Sequence, residues 1–203
     1  DGLPESWPKE AHGSVHSPHG YLIPFGDIEI DLDQALVAGL YSHNKGATFL
    51  YRSRDKGRTW HRDPAPMDAE ETLFEPALIH LGSGRWLCAA RSGGLKLYRS
   101  DDDGKTWTLQ EQLLPGLQYP AHLLRLPDDS LLLSYGNRGF PKGVDVRFSD
   151  DEGASWSEPY RLLDYQGDGG YPSSIVLPDG QVLTAYYAKN IEGHAGYHMG
   201  VVI

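Results

Sequence analysis

Carboxylate, imidazole and thiol side chains at short spacing are where this sequence could first be expected to do chemistry. The stretch "YRSDDDGKTW", residues 98–107, sets three aspartates in a row beside a glycine and a tryptophan. Carboxylates at that density could hold Ca2+ through oxygen ligands. The spacing is not that of a calcium loop, however, and the related stretch "YRSRDKGRTW" at 51–60 keeps one carboxylate, Asp55. A turn explains both copies better: Asp and Ser side chains bond to nearby backbone amides, and Gly takes positive φ without steric cost. His12, His16 and His19 could also meet at a metal, but nothing in their irregular opening segment makes them converge. No metal and no cofactor is expected. The lone Cys88, in "GRWLCAAR", lies in a strand-like run and reads as a buried structural thiol.

The elements that must position any site come from the same boxes. A third copy, "RFSDDEGASW", occupies 147–156. The three copies share Ser-x-Asp-x-Gly-x-Thr/Ser-Trp: Ser53 to Trp60, Ser100 to Trp107 and Ser149 to Trp156. Their first serines lie 47 and 49 residues apart, a period that belongs to propellers and repeat arrays. Before each of the last two boxes, and again near the C-terminus, comes a strand–turn–strand signal: "FEPALIHLGSGRWLCAAR", "YPAHLLRLPDDSLLLSYGNR" and "YPSSIVLPDGQVLTAYY". Each opens on a residue followed by Pro, namely Glu75, Tyr119 and Tyr171. A third strand, the box, and a fourth strand beginning at Trp complete a four-stranded propeller blade.

The expected fold is therefore an all-β propeller with about four blades in a single domain, 1–203. Residues 70–203 should form three consecutive blades, with each box between third and fourth strands. Trp60, Trp107 and Trp156 should be largely buried at equivalent positions. The first unit is less regular: "GSVHSPHGYLIPFG" could hold its inner strands, and "DIEIDLDQALVAGLYSHNKG" reads as an insertion before "TFLYRS". "ESW" at 5–7 resembles the tail of a box that has lost its front half, and the fourth unit ends at "YHMGVVI", in the third-strand position.

Composition narrows the functions. The chain has 203 residues, 39% of them hydrophobic, and a net charge of −10. No basic stripe exists to displace counterions from phosphates, so nucleic acid is not an expected partner. No apolar run reaches the 18 residues that suggest a membrane-spanning helix. No leader is legible before Asp1; if one has been removed, the protein is secreted or periplasmic.

The repeated boxes are Asp-boxes, or BNR repeats, and from about Thr48 onward the chain resembles part of a sialidase-superfamily protein. That resemblance implies a six-bladed propeller of which the last four blades are present, with the N-terminal blades truncated. It also implies a site. In "EPALIHLGSGRWLCAAR", Glu75 is similar to the family glutamate that assists the nucleophile, and Arg91 to the second arginine of a carboxylate-binding triad. Arg138, in "SYGNRGF", matches the third arginine. The last blade resembles the family's final catalytic blade, whose third strand carries the nucleophilic tyrosine; Tyr197 is the tyrosine nearest that place. Two family features are not matched: the arginine of a Phe-Arg-Ile-Pro motif and the acid/base aspartate that follows it.

The chemistry fits these residue types. Guanidinium forks match a sugar carboxylate bidentately. A neutral tyrosine avoids the repulsion that a carboxylate nucleophile meets at an anionic sugar, and a neighbouring glutamate can take the phenolic proton. Glu75, Arg91 and Arg138 are expected to face one central cavity, with Tyr119, Tyr171 and His122 lining it. The function implied is exo-α-sialidase-type hydrolysis, releasing a terminal acidic sugar from a glycan partner. The alternative is a non-catalytic propeller that binds glycan or protein.

Overall fold

The structure, a computed structural model, describes residues 22–42, 47–68, 70–117, 119–191 and 193–203, so His12, His16, His19 and "ESW" lie outside the described residues. Fifteen strands build four antiparallel sheets, and no helix is present among the described residues. Blade I holds β1 (Leu22–Ile30), β2 (Leu36–Ser42), β3 (Thr48–Ser53) and β4 (His61–Arg62). Blade II holds β5 (Phe74–Gly82), β6 (Arg85–Arg91), β7 (Gly94–Ser100) and β8 (Thr108–Pro115). In blade III, β9 (Ala121–Arg125), β10 (Leu131–Asn137), β11 (Gly143–Ser149) and β12 (Tyr160–Asp164) follow the same order. Blade IV has three strands, β13 (Gly169–Val176), β14 (Val182–Ile191) and β15 (His194–Val202). The chain is an all-β, four-bladed propeller. Inner strands β5, β9 and β13 pack against one another in succession, and β1 packs on β5.

Each box lies between the third and fourth strands, and its hydrogen bonds repeat atom for atom. Asp102 Oδ1 accepts from the Thr106 amide at 2.9 Å and from Ser100 Oγ at 2.8 Å, while the Gly104 amide donates to Ser100 Oγ at 2.9 Å. Asp55 and Asp151 make the same bonds in their own boxes. Gly104 takes φ +78°, a conformation that strains other residues, and an added Cβ would lie 2.7 Å from Leu50 Cδ1 of the preceding blade, which would have to shift.

The core is the set of faces between blades. Val37, Leu50 and Met67 of blade I meet Leu78, Trp86, Cys88 and Tyr98 of blade II. Ile79, Leu87 and Leu97 of blade II meet Leu123, Leu133 and Tyr135 of blade III. The seam between blades III and IV is more polar, with Ser134, Ser174 and Thr184 bonded in series at 3.2 and 2.9 Å. Cys88 is fully buried, and burial pushes its thiol pKa up, which keeps it protonated and inert.

Two expectations need correction. The segment read as an insertion belongs to blade I, carrying the end of β1 and all of β2: β1 is "LIPFGDIEI", and a register shift between Phe25 and Glu29 breaks the alternation that would have identified it. The box tryptophans are half-buried rather than buried. Each closes the rim of a blade seam, where Trp107 and Trp156 pack against the edge of a core cluster. Trp60 and Trp107 keep their indole N–H groups on the box glycine carbonyl, at 3.1 and 3.0 Å. In the third box Gln110 takes that carbonyl, Gly153 O, at 2.6 Å. Among the described residues no helix is long and apolar enough to cross a membrane.

Candidate functional site

The inner strands do not enter the axis alike. In β5 the pairing with β6 shifts between Phe74 and Ala77, and Glu75 in that gap takes φ +53°. In β13 the shift falls between Gly170 and Ser173, and Tyr171 takes φ +50°. Proline follows each residue and has no N–H to give the ladder, so pairing is interrupted there. A bulge of this kind re-aims a side chain. Here it turns Glu75 and Tyr171 toward each other, although 96 residues separate them.

The Tyr171 hydroxyl donates to Glu75 Oε1. Arg91, on β6 opposite Phe74, donates from Nε to Glu75 Oε2 at 2.9 Å and from Nη2 to Oε1 at 3.3 Å. Glu75 is 3% exposed, so a two-pronged guanidinium and a phenol compensate a carboxylate almost removed from water. Burial first, then the bond to Glu75, push the Tyr171 hydroxyl above the ordinary phenol range. Arg138 lies 5.5 Å over the Tyr171 ring, with a salt bridge to Asp168 at 3.3 Å and a bond to Tyr187 Oη at 3.3 Å. Tyr187 in turn donates to Asp168 at 3.0 Å.

The structure thus brings together Glu75, Arg91, Tyr171 and Arg138. It does not bring in Tyr197 as a partner of Glu75. Tyr197 is 60% exposed on β15, and its hydroxyl reaches Asp168 at 3.5 Å. Tyr119, expected to line the pocket, points into the core between blades II and III, edge-on to Tyr135 at 6.0 Å. Tyr119 lies two residues before β9, whose pairing with β10 starts at Ala121 and runs without a register shift.

Several residues at the axis carried no sequence signal. Phe25 meets the Tyr171 ring edge-on at 6.0 Å. Gly26, at φ +75°, passes so close to blade II that a Cβ would lie 3.1 Å from Pro76 O. Asp27 accepts from His122 Nε2 at 2.9 Å, while His122 Nδ1 accepts from the Ser174 amide at 3.3 Å. That pair of bonds fixes the tautomer with the proton on Nε2, and it ties blade I to blades III and IV across the axis. The bond to His122 holds the Asp27 carboxyl below its usual range. Further along β1, burial raises the pKa of Glu29, which accepts from the His80 amide at 3.3 Å. Among the described residues no three His, Cys, Asp or Glu are placed to hold a metal ion.

The family described as BNR repeat-like domain matches residues 6–183. The search of curated proteins gave no match. A Dyadobacter fermentans protein of unknown function superposes with a TM-score of 0.72 at 28% identity, over 89% of this chain and 53% of its own. An α-L-arabinanase of Penicillium chrysogenum, solved with arabinobiose, gives 0.67 at 20% identity, over 93% of this chain and 63% of that one. Trypanosoma rangeli sialidase gives 0.61 at 16% identity, over 85% of this chain and 30% of that one. The chain therefore spans about half the length of the first of these and less than a third of the sialidase.

Proposed function

The chain belongs to the BNR repeat-like domain family, within the sialidase-like superfamily, and from that premise we propose that it carries the nucleophile-bearing site of a glycoside hydrolase. The observation that carries this reading is the bond from Tyr171 to Glu75, braced by the Arg91 fork. A phenol held above its normal pKa is a poor nucleophile unless a base takes its proton as it reacts. Glu75 is within reach to do so. Tyr171 Oη would attack the anomeric carbon while its proton passes to Glu75. The bond to the leaving oxygen breaks as that oxygen takes a proton from an acid or from water, and a second water then cleaves the glycosyl–tyrosine bond. A neutral nucleophile suits a sugar that carries its own negative charge, and Arg91 and Arg138 stand beside it to receive a carboxylate. The first reading is thus release of a terminal acidic sugar, in the manner of an exo-α-sialidase.

A second reading rests on one observation. Both arginines already hold a carboxylate of the protein, Glu75 and Asp168, so the four groups sum to zero charge. That balance suits an uncharged terminal sugar such as the arabinose unit that the Penicillium enzyme was solved with.

The test is turnover of a sialoside and of an α-L-arabinofuranoside, each with a fluorescent leaving group, by the purified 203-residue chain. Sialoside turnover is expected, slowed by about 10²–10⁴-fold because the family's acid/base aspartate has no match in this sequence. Turnover of the arabinofuranoside alone would select the second reading. Failure to turn over or bind either glycoside would overturn both.

A further inference from the structure

The loop between β10 and β11 holds a side chain that the site as described does not use. Phe140 is 100% exposed. It stands two residues after Arg138, on the face of the propeller where Glu75 and Tyr171 begin their strands and opposite the boxes. Full exposure of a phenyl ring is unfavourable by the hydrophobic effect, and a slack loop would fold the ring back onto the surface. This loop is not slack. On one side of Phe140 the Gly139 amide donates to Asn137 Oδ1 at 2.9 Å, and Asn137 Nδ2 is held by Asp145 at 2.7 Å. On the other side Arg161 donates to Pro141 O at 3.1 Å and to Lys142 O at 3.3 Å. The Tyr165 amide donates to Lys142 O at 3.1 Å, and Lys142 Nζ to Gly167 O at 2.9 Å. Leu117, 49% exposed on the neighbouring loop, lies against Gly139 and extends the apolar rim.

Resting on the glycosidase reading, we propose that Phe140 is a sugar-stacking platform, which receives the apolar C–H face of the sugar next to the one held at Tyr171. The rim is continuous with the site through Arg138, which touches the Tyr171 ring and leads directly into the loop. The backbone that carries the ring is held in advance, so binding costs the rotamer freedom of one side chain and no ordering of the loop. A glycan face is the occupant this arrangement fits: one planar ring, flanked by backbone and polar groups, is too small to dock a protein surface but covers one sugar.

The experiment measures Kd by calorimetry for two pairs of probes: 3′-sialyllactose against the methyl glycoside of sialic acid, and arabinobiose against methyl α-L-arabinofuranoside. The unmodified protein and Phe140→Ala are compared, with Phe140→Tyr as the conservative variant. Phe140→Ala is expected to weaken whichever longer probe binds by about tenfold, the effect of losing one ring face of apolar contact. It should leave the one-sugar probe within twofold, and Phe140→Tyr should restore the difference. Because Phe140 is fully exposed, Tm should not move in either variant. Equal weakening of long and short probes, or no weakening of either, would sink the platform while leaving the glycosidase reading intact. Loss of self-association in Phe140→Ala, without any change in sugar binding, would reassign the ring to a protein contact. Binding of no probe by the unmodified chain would remove the glycan reading itself, and the platform with it.

Discussion

Glu75 and Tyr171 hold a left-handed backbone conformation that bulky L-residues rarely adopt, at φ of 53° and 50°. Such a conformation costs of order 1–3 kcal/mol at each residue and persists where the surroundings over-determine it. Here they do: the Arg91 fork grips one end of the pair, and Phe25 and Arg138 pack on the ring at the other. If the pair reacts as proposed, Tyr171→Phe and Glu75→Gln should each lower kcat/KM on the responsive glycoside by at least about 10²–10⁴-fold. Tyr171→Phe keeps the ring contacts but removes a donor to the buried Glu75 carboxylate, so it should unfold about 1–3 kcal/mol more easily while remaining folded. Activity retained in Tyr171→Phe would move the nucleophile elsewhere. The sequence made Glu75, Arg91 and Arg138 legible through their places relative to the boxes. It marked Tyr197 by resemblance and Tyr171 as a lining residue; the contact of Tyr171 with Glu75 was not legible because it depends on a local backbone shift in β13. The shared place before proline was legible for Glu75, Tyr119 and Tyr171 alike, and by itself it does not separate Tyr171 from Tyr119, which points into the core.

At the scale of the element, the box is a turn closed by a carboxylate. Hydrogen bonds from Thr106 and Ser155 hold Asp102 and Asp151 each at a pKa of about 2. Each value is below the roughly 3.9 of an unfolded chain. A depressed carboxyl pKa contributes stability that is fully present above the unfolded value and is lost as pH falls through the folded one. Asp151→Ala should therefore lower Tm at pH 7, and the gap to the unmodified chain should narrow between about pH 4 and pH 2. Thermal melts across that range measure it, and a gap independent of pH would show that the charge contributes nothing. Turns of this kind are legible in sequence because all their bonds close within a few residues. The half-burial of the tryptophans was not, since it depends on the neighbouring blade. Blade I was hidden for a similar reason: Gly26 and the bulge at Phe25–Glu29 are needed where β1 crosses close to Pro76, and they disrupt the alternation a strand would display.

Taken as a whole, the molecule is held by faces that each blade offers to the next. Between blades I and II, Arg52 bonds to Asp31, Asp63 and the Asp103 carbonyl, joining a third strand to the box of the following blade. Arg99 stands at the same box position one blade later and approaches Glu152 at 3.7 Å. In blade III that position is Phe148, 42% exposed. Blade IV repeats the theme on a larger scale. On β13 and β15 the side chains that alternate away from blade III are Ile175, Tyr197, Met199 and Val201, between 53% and 82% exposed. Contiguous apolar surface of this kind favours association, and among the described residues β15 is also the edge strand of its sheet. The 203-residue chain is therefore expected to associate at high micromolar concentration. Met199→Lys combined with Val201→Lys should return it to monomer, because two ammonium groups would have to be desolvated in any contact over that face. Both side chains are exposed, so the double variant should unfold within about 0.5 kcal/mol of the unmodified chain per substitution. Sedimentation velocity across a concentration series reads the outcome directly. Association that persists unchanged in the double variant would place the contact on another surface of the propeller.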